Sequence, residues 1–187
     1  METVTDGDLD RIRPLLERKG IACVGSGDGE KLAAPDGKAL SELRGISDAL
    51  LVEADGARGL PVKAPAPHEP VIYPASGLVV AVAGLSAVGR PLKDCCFRLP
   101  FVTALLGVTE DTILTPPLLS RLLSSERGGR KGVLPPSRYT VVLNQADNPS
   151  LLASGRQTAR DIRALLPGCR VVITSLCKGI DIKAVMC

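Results

Sequence analysis

The chain has no tryptophan, a single histidine and only 2% aromatic residues. Single-stranded nucleic acid is gripped by stacking its bases on aromatic rings, so that class of ligand finds no platform here. A clustered basic face is missing as well. The formal net charge is +3 with the signs mixed, and the densest basic run, Arg127-Gly-Gly-Arg-Lys131, is short and glycine-rich. It reads as a solvated loop, and no nucleic-acid partner is expected. No apolar run approaches the ~18 residues of a spanning helix, so no membrane partner is expected either. The six cysteines, Cys23, Cys95, Cys96, Cys169, Cys177 and Cys187, include no CxxC pair, which argues against structural zinc. Cys95-Cys96 reads as two core or helix-face residues in preference to a redox or soft-metal pair. Scattered thiols fit a reducing, cytoplasmic location, and the polar, acidic N-terminus resembles neither a signal nor a transit peptide.

What the chain does have is aliphatic residues: 45% of its 187 positions are hydrophobic, enough for one α/β domain over residues 1–187. Five short aliphatic runs read as strands: Ile21–Val24, Ala49–Glu53, Leu78–Gly84, Tyr139–Asn144 and Arg170–Thr174. None alternates polar with apolar, as expected for strands buried on both faces. Helical segments fall at Asp8–Lys19, with Pro14 kinking it or resetting its first turn, and at Lys38–Gly45, Asp94–Leu106 and Ser154–Leu166. Another starts at Thr115-Pro116, an N-cap followed by proline. Strands alternating with helices predict a mostly parallel sheet of about five strands flanked by helices.

From Asp55 to Gly77 the chain carries Pro61, Pro65, Pro67, Pro70 and Pro74. A stretch so stiffened is not a helix, and long ordered loops are commonly functional. Just before it, Leu51-Val52-Glu53-Ala54-Asp55-Gly56 reads as a strand delivering Glu53 and Asp55 to the sheet edge, where an acid can hold Mg²⁺. Within it, Arg58 and Lys63 suit phosphate or carboxylate groups. His68 suits an acid, a base or a ligand, with Glu69 placed to orient it. The plainer alternative is a polar turn and a rigid surface loop with solvated charges.

Two further elements deserve comparison with nucleotide-binding proteins. Asn144-Gln145-Ala146-Asp147 after an apolar run, with Ser175 beyond the next one, resembles a guanine-reading turn in which Gln145 replaces the usual lysine; an Asx-turn is the alternative. Gly25-Ser-Gly-Asp-Gly-Glu-Lys31 fails the GxxxxGK[ST] pattern at Glu30 and Leu32 and reads as a glycine-rich turn.

The run Leu51-Val-Glu-Ala-Asp-Gly-Ala-Arg-Gly-Leu-Pro-Val-Lys-Ala-Pro65 and the segment His68-Glu-Pro-Val-Ile72 resemble the YqeC family of selenium-dependent hydroxylase accessory proteins. Gly84–Leu92 and Val142–Asp147 extend the likeness. The resemblance implies a P-loop-NTPase-like scaffold. Fuller forms begin with a GGGGKT-like loop, so the expected fold is one truncated at the N-terminus. Where the family pattern has His-Arg, this chain reads Phe97-Arg98. The resemblance further implies Mg²⁺ and a nucleoside triphosphate as cofactors. Its implied partner is a molybdenum hydroxylase or its maturation machinery.

In that reading Glu53 and Asp55 serve the metal, while Lys63, His68 and Glu69 form the catalytic cleft. Arg58, Arg98, Asn144, Asp147 and Ser175 hold the cofactor. Without a phosphate cradle in these residues, efficient hydrolysis is not expected. The alternatives are a non-enzymatic interaction module and a metal-dependent hydrolase built on Glu53, Asp55, His68 and Glu69.

Overall fold

A computed structural model describes residues 3–5, 8–27, 33–135, 138–177 and 179–187. It is a mixed α/β structure whose described residues divide into two compact units, Met1–Glu53 and Ala54–Cys187.

In the first unit β1 (Thr3–Val4) pairs parallel with β2 (Cys23–Val24) around α1 (Leu9–Lys19). Asp8 caps α1 by accepting a hydrogen bond from the Asp10 N–H at 2.9 Å, and Gly20 closes it in the left-handed region at φ 70°. Such a cap needs a residue without Cβ strain. The helix starts at Leu9 and continues through Pro14, so the proline does not reset its first turn. Val4, Ile12 and Leu15 of these elements, with Leu43 of α2 (Gly37–Gly45), form a small core. The expected strand Ile21–Val24 shortens to β2. Ser26 and Ala33 exchange both backbone hydrogen bonds at 2.8 Å, while Asp28–Lys31 of the glycine-rich segment lie outside the described residues.

The expected strand Ala49–Glu53 is not formed: these residues are coil, and Leu51 is 93% exposed. Five residues are too few to carry a period, so an apolar run of that length does not by itself select a strand.

The second unit holds two sheets in place of one five-stranded sheet. The larger has the order β4 (Leu78–Gly84), β6 (Arg138–Asn144), β7 (Arg170–Ser175), β8 (Asp181–Met186), with the first three parallel and β8 antiparallel. The smaller pairs β3 (Val62–Lys63) with β5 (Cys96–Phe97) in parallel. The expected helix Asp94–Leu106 is broken by β5 into α3 (Leu92–Cys95) and α4 (Leu99–Leu106). α5 (Pro116–Ser124) begins at the proline signal, though Thr115 makes no side-chain cap bond. α6 (Pro149–Leu165) starts five residues before the expected Ser154, because Asn148 accepts from the Leu151 N–H at 2.9 Å and caps it.

The core lies between the sheet and these helices. Val141, Leu143, Val171 and Ile173 of β6 and β7 meet Leu119, Leu122, Ala159 and Ile162 of α5 and α6. α6 comes so close that a Cβ on Gly155 would lie 2.8 Å from Leu85 Cδ1, so any larger residue there must push the buried Leu85 side chain aside. The opposite face is open at β4, where Val80 and Val82 are 45% and 64% exposed.

Candidate functional site

The proline-rich loop is folded back on itself by two backbone hydrogen bonds. The Val71 N–H donates to the Ala54 carbonyl at 3.0 Å, which brings the two ends of the loop together. The Leu60 N–H donates to the Ala57 carbonyl at 3.0 Å across Arg58 and Gly59, whose φ values of 51° and 76° are both left-handed. Two successive positive φ values are the mark of a type I′ turn, in which glycine is free and arginine is strained. Val62, Ala64, Pro65 and Ala66 are then buried, so the middle of this segment is interior while its flanks stay at the surface.

Pairing of β3 with β5 sets Lys63 opposite Phe97. This register carries Lys63 and Arg98 to one carboxylate, Glu69. Lys63 Nζ lies 3.0 Å from Glu69 Oε2 and 3.0 Å from Asp55 Oδ2, and donates to the Gly56 carbonyl at 2.9 Å. Arg98 Nη2 donates to Glu69 Oε1 at 2.7 Å, and the Ala66 N–H donates to Glu69 Oε2 at 3.3 Å. Side chains of Lys63 and Glu69 are only 13% and 14% exposed, where such contacts are weakly screened. Burial would raise the Glu69 carboxyl. The hydrogen bonds from Lys63, Ala66 and Arg98, with the Lys63 charge, outweigh it and hold the carboxyl at about 2. At neutral pH Glu69 is therefore a fixed anion: a hub for cations and a poor proton acceptor.

Two arginines frame this network. The Arg58 and Arg98 guanidinium carbons lie 5.2 and 5.0 Å from the Phe97 ring centre, within cation–π range. Arg98, like Arg58, has a left-handed backbone, at φ 59°. Arg98 is spent on Glu69, whereas Arg58 is exposed and has no carboxylate partner among the described residues of this unit. Phe97 thus serves as a ring between two cations.

The basic run that reads as a solvated loop is in part a clamp. Lys131 Nζ donates to the backbone carbonyls of Ala66, Pro67 and Glu69 at 2.5, 2.9 and 2.6 Å. One ammonium with three donors fastens the second half of the proline-rich loop from 62 or more residues away in sequence. Sequence reasoning missed it, since no local pattern distinguishes a clamping lysine from a solvated one.

Of the residues expected at the cleft, Asp55, Lys63, Glu69 and Arg98 converge, with Arg58 beside them. His68 stays at the margin, with Nε2 4.0 Å from Glu69 Oε1 and a side chain 74% exposed. Glu53 ends the first unit on exposed coil, and no strand delivers it and Asp55 side by side. Among the described residues no three His, Cys, Asp or Glu side chains gather as a metal cluster. Because Asp55 Oδ2 already faces the Lys63 ammonium, a cation there would have to displace it, and the donor set does not fit a metal as it stands.

Asn144, Asp147 and Ser175 form a separate cluster after β6 and β7, held by hydroxyl and backbone donors. Thr174 Oγ1 donates to Asn144 Oδ1 at 3.0 Å, Ser175 Oγ to Asp147 Oδ1 at 2.7 Å, and the Ala146 N–H to the Thr174 carbonyl at 3.0 Å. Gln145, in the left-handed region at φ 65°, accepts from Ser86 Oγ at 2.5 Å. Gly84 links this turn to the loop: its N–H donates to the Pro61 carbonyl at 2.8 Å. A Cβ there would meet Gln145 Oε1 at 2.1 Å and Pro61 Cβ at 2.7 Å.

Cys95 and Cys96 are buried with their sulfurs 3.9 Å apart. Burial pushes both thiols up, Cys96 to about 12 with the neighbouring Cys95 adding to it, so both are inert core residues.

Residues 3–100 match the family described as YqeC protein. A curated relative, the "Uncharacterized protein YqeC" of Escherichia coli (strain K12), is 34% identical over 99 residues, which are 52% of this chain and 39% of the relative. The match thus spans well under half of the relative's length. No solved structure matches the chain. No helix among the described residues is long and apolar enough to cross a membrane.

Proposed function

We propose, from the premise that this chain belongs to the YqeC family, that it is an accessory protein in the maturation of selenium-dependent molybdenum hydroxylases and works by binding rather than by catalysis. Its scaffold is of the nucleotide-binding α/β kind. The observation that carries the binding reading is the closed ion-pair network of Asp55, Lys63, Glu69 and Arg98. Two acids and two bases neutralise one another, and Glu69 is held near pKa 2, far from the operating range of a general base at neutral pH. What the network offers outward is the unpaired Arg58 guanidinium, a fork suited to a phosphate or carboxylate.

The 187 residues contain no GxxxxGK[ST] pattern. This polypeptide therefore takes up nucleoside triphosphate weakly and hydrolyses it inefficiently, because phosphoryl transfer depends on a backbone cradle and its lysine. Calorimetry with Mg²⁺ and ATP or GTP tests this half, and micromolar affinity for this polypeptide defeats it. The accessory half is tested by co-producing the chain with a selenium-dependent molybdenum hydroxylase and measuring the active fraction. A rise with the wild type that disappears with Arg58→Ala supports the reading, and no rise above the hydroxylase alone sinks it.

A further inference from the structure

The three parallel strands of the larger sheet leave a cavity of about 570 Å³ at their N-terminal ends, the edge away from Gly84, Asn144 and Ser175. Its size falls within the ~300–1,000 Å³ of small-molecule sites. Arg130, Arg138 and Arg170 line it, and no aspartate or glutamate does. The sheet register explains how two of these meet. Arg170 pairs with Thr140, two residues along β6 from Arg138, so both arginines stand on one face of adjacent strands. Both are exposed, and neither has a carboxylate partner among the described residues of this unit. Arg130 alone is engaged, with Glu126 Oε1 at 3.2 Å.

A bland account assigns these cations to the carbonyl end of α6, whose last residue, Leu165, also lines the cavity. That end carries about half a negative charge, which one arginine offsets. After Glu126, the helix end and the terminal carboxylate of Cys187, also in the lining, are allowed for, a small positive excess remains. Much of the rest of the wall is aliphatic, with Leu134 and Leu165 left 71% and 51% exposed. Exposed aliphatic surface beside unpaired guanidinium groups suits a molecule with an oxyanion head and an apolar body.

We propose that this cavity is a second binding site, for a small soluble phosphate monoester with an aliphatic body. The same head chemistry occurs in anionic lipids, and a volume of about 570 Å³ suits a whole small molecule. The test uses the full chain and hexyl phosphate as probe, followed by calorimetry and by amide NMR shifts. Binding of hexyl phosphate roughly tenfold tighter than inorganic phosphate or neutral hexyl glucoside, with shifts at Leu78, Thr140 and Arg170, is the expected result. The double variant Arg138→Gln/Arg170→Gln loses that margin while keeping the wild-type melting temperature, and Lys93→Gln, a surface cation paired with Asp111 away from the cavity, binds as the wild type does. Equal affinity for hexyl glucoside, or undiminished binding by the double variant, overturns the proposal. So does co-sedimentation with phosphatidic acid vesicles when hexyl phosphate does not bind.

Discussion

The loop from Asp55 to Glu69 and the turn from Asn144 to Asp147 both place polar side chains near the ends of strands, and they hold them by different forces. In the loop, four charges are gathered on Glu69 and Lys63 at 2.7–3.0 Å. In the turn no ion pair forms among the described residues: hydroxyl, amide and backbone groups make the contacts, as with Thr174 and Asn144 at 3.0 Å, and the one carboxylate, Asp147, accepts from a hydroxyl. Charge pairs respond to pH and salt, while hydroxyl–amide bonds hardly do. The loop is therefore the conditional region of the second unit, and the turn the unconditional one.

The largest test of that contrast is Glu69→Gln. It leaves Arg98 and Lys63 without their shared anion, though Lys63 retains Asp55 and the Gly56 carbonyl. Urea unfolding is expected to show a loss on the order of 2–3 kcal/mol at pH 7. The pH dependence has a definite sign. The carboxyl is held at about 2 against an ordinary 4.5, so its contribution is complete above pH 4.5 and disappears as the pH falls toward 2. The variant should lack that acid-side slope, and a variant with the wild-type profile removes Glu69 as the hub.

Gly84→Ala strikes both regions at once. The new methyl meets Gln145 Oε1, which can swing away only by leaving Ser86, and it also meets the Pro61 ring, which cannot. Overpacking of this kind costs about 1–3 kcal/mol. Ser86→Ala in the same background distinguishes the two obstacles: if Gln145 is the main one, the second change recovers part of the loss.

Lys131→Met is expected to cost about 1–2 kcal/mol by leaving three carbonyls of the loop without their donor. Limited proteolysis should then cut the Ala66–Glu69 segment faster. Thr174→Val, which removes the neutral hydroxyl–amide bond to Asn144, is expected to cost about 1 kcal/mol. Its effect should be the same at pH 4 and pH 7, which is the sharpest contrast with Glu69→Gln.

The long aliphatic strands and the capped helices were legible in the sequence because their signals are local. β4, β6 and β7 lie within one residue of the expected runs, and the proline before α5 marks its start. The elements that build the site were not legible, since each depends on a distant partner. β3 and β5 have two residues each, too few for any period, and exist only because they pair with each other. β8 was overlooked because its register to β7 shifts at a bulge between Ile173 and Thr174, and its lysine and aspartate blur the apolar signal. Of the five residues expected to converge, Asp55, Lys63 and Glu69 do, while Glu53 and His68 do not, and the strand expected to deliver Asp55 is coil. The role of Lys131 was not, because nothing near it in sequence announces three carbonyls waiting more than sixty positions earlier.

The smallest expected effect is also the one that separates binding from catalysis. His68 stands next to Glu69 in sequence, yet its ring is 74% exposed and 4.0 Å from the carboxylate, too far for a hydrogen bond. A side chain so placed contributes little to stability, and His68→Ala should shift the unfolding free energy by less than about 0.5 kcal/mol. If the protein acts by binding through Arg58, the same variant should leave its effect on a hydroxylase's active fraction intact. Hydrolytic chemistry built on the histidine makes the opposite prediction, that activity falls while the fold stays whole. A folded His68→Ala protein that no longer supports the hydroxylase would turn the exposed ring from a bystander into a participant, and the loop from a charge-locked scaffold into a working site.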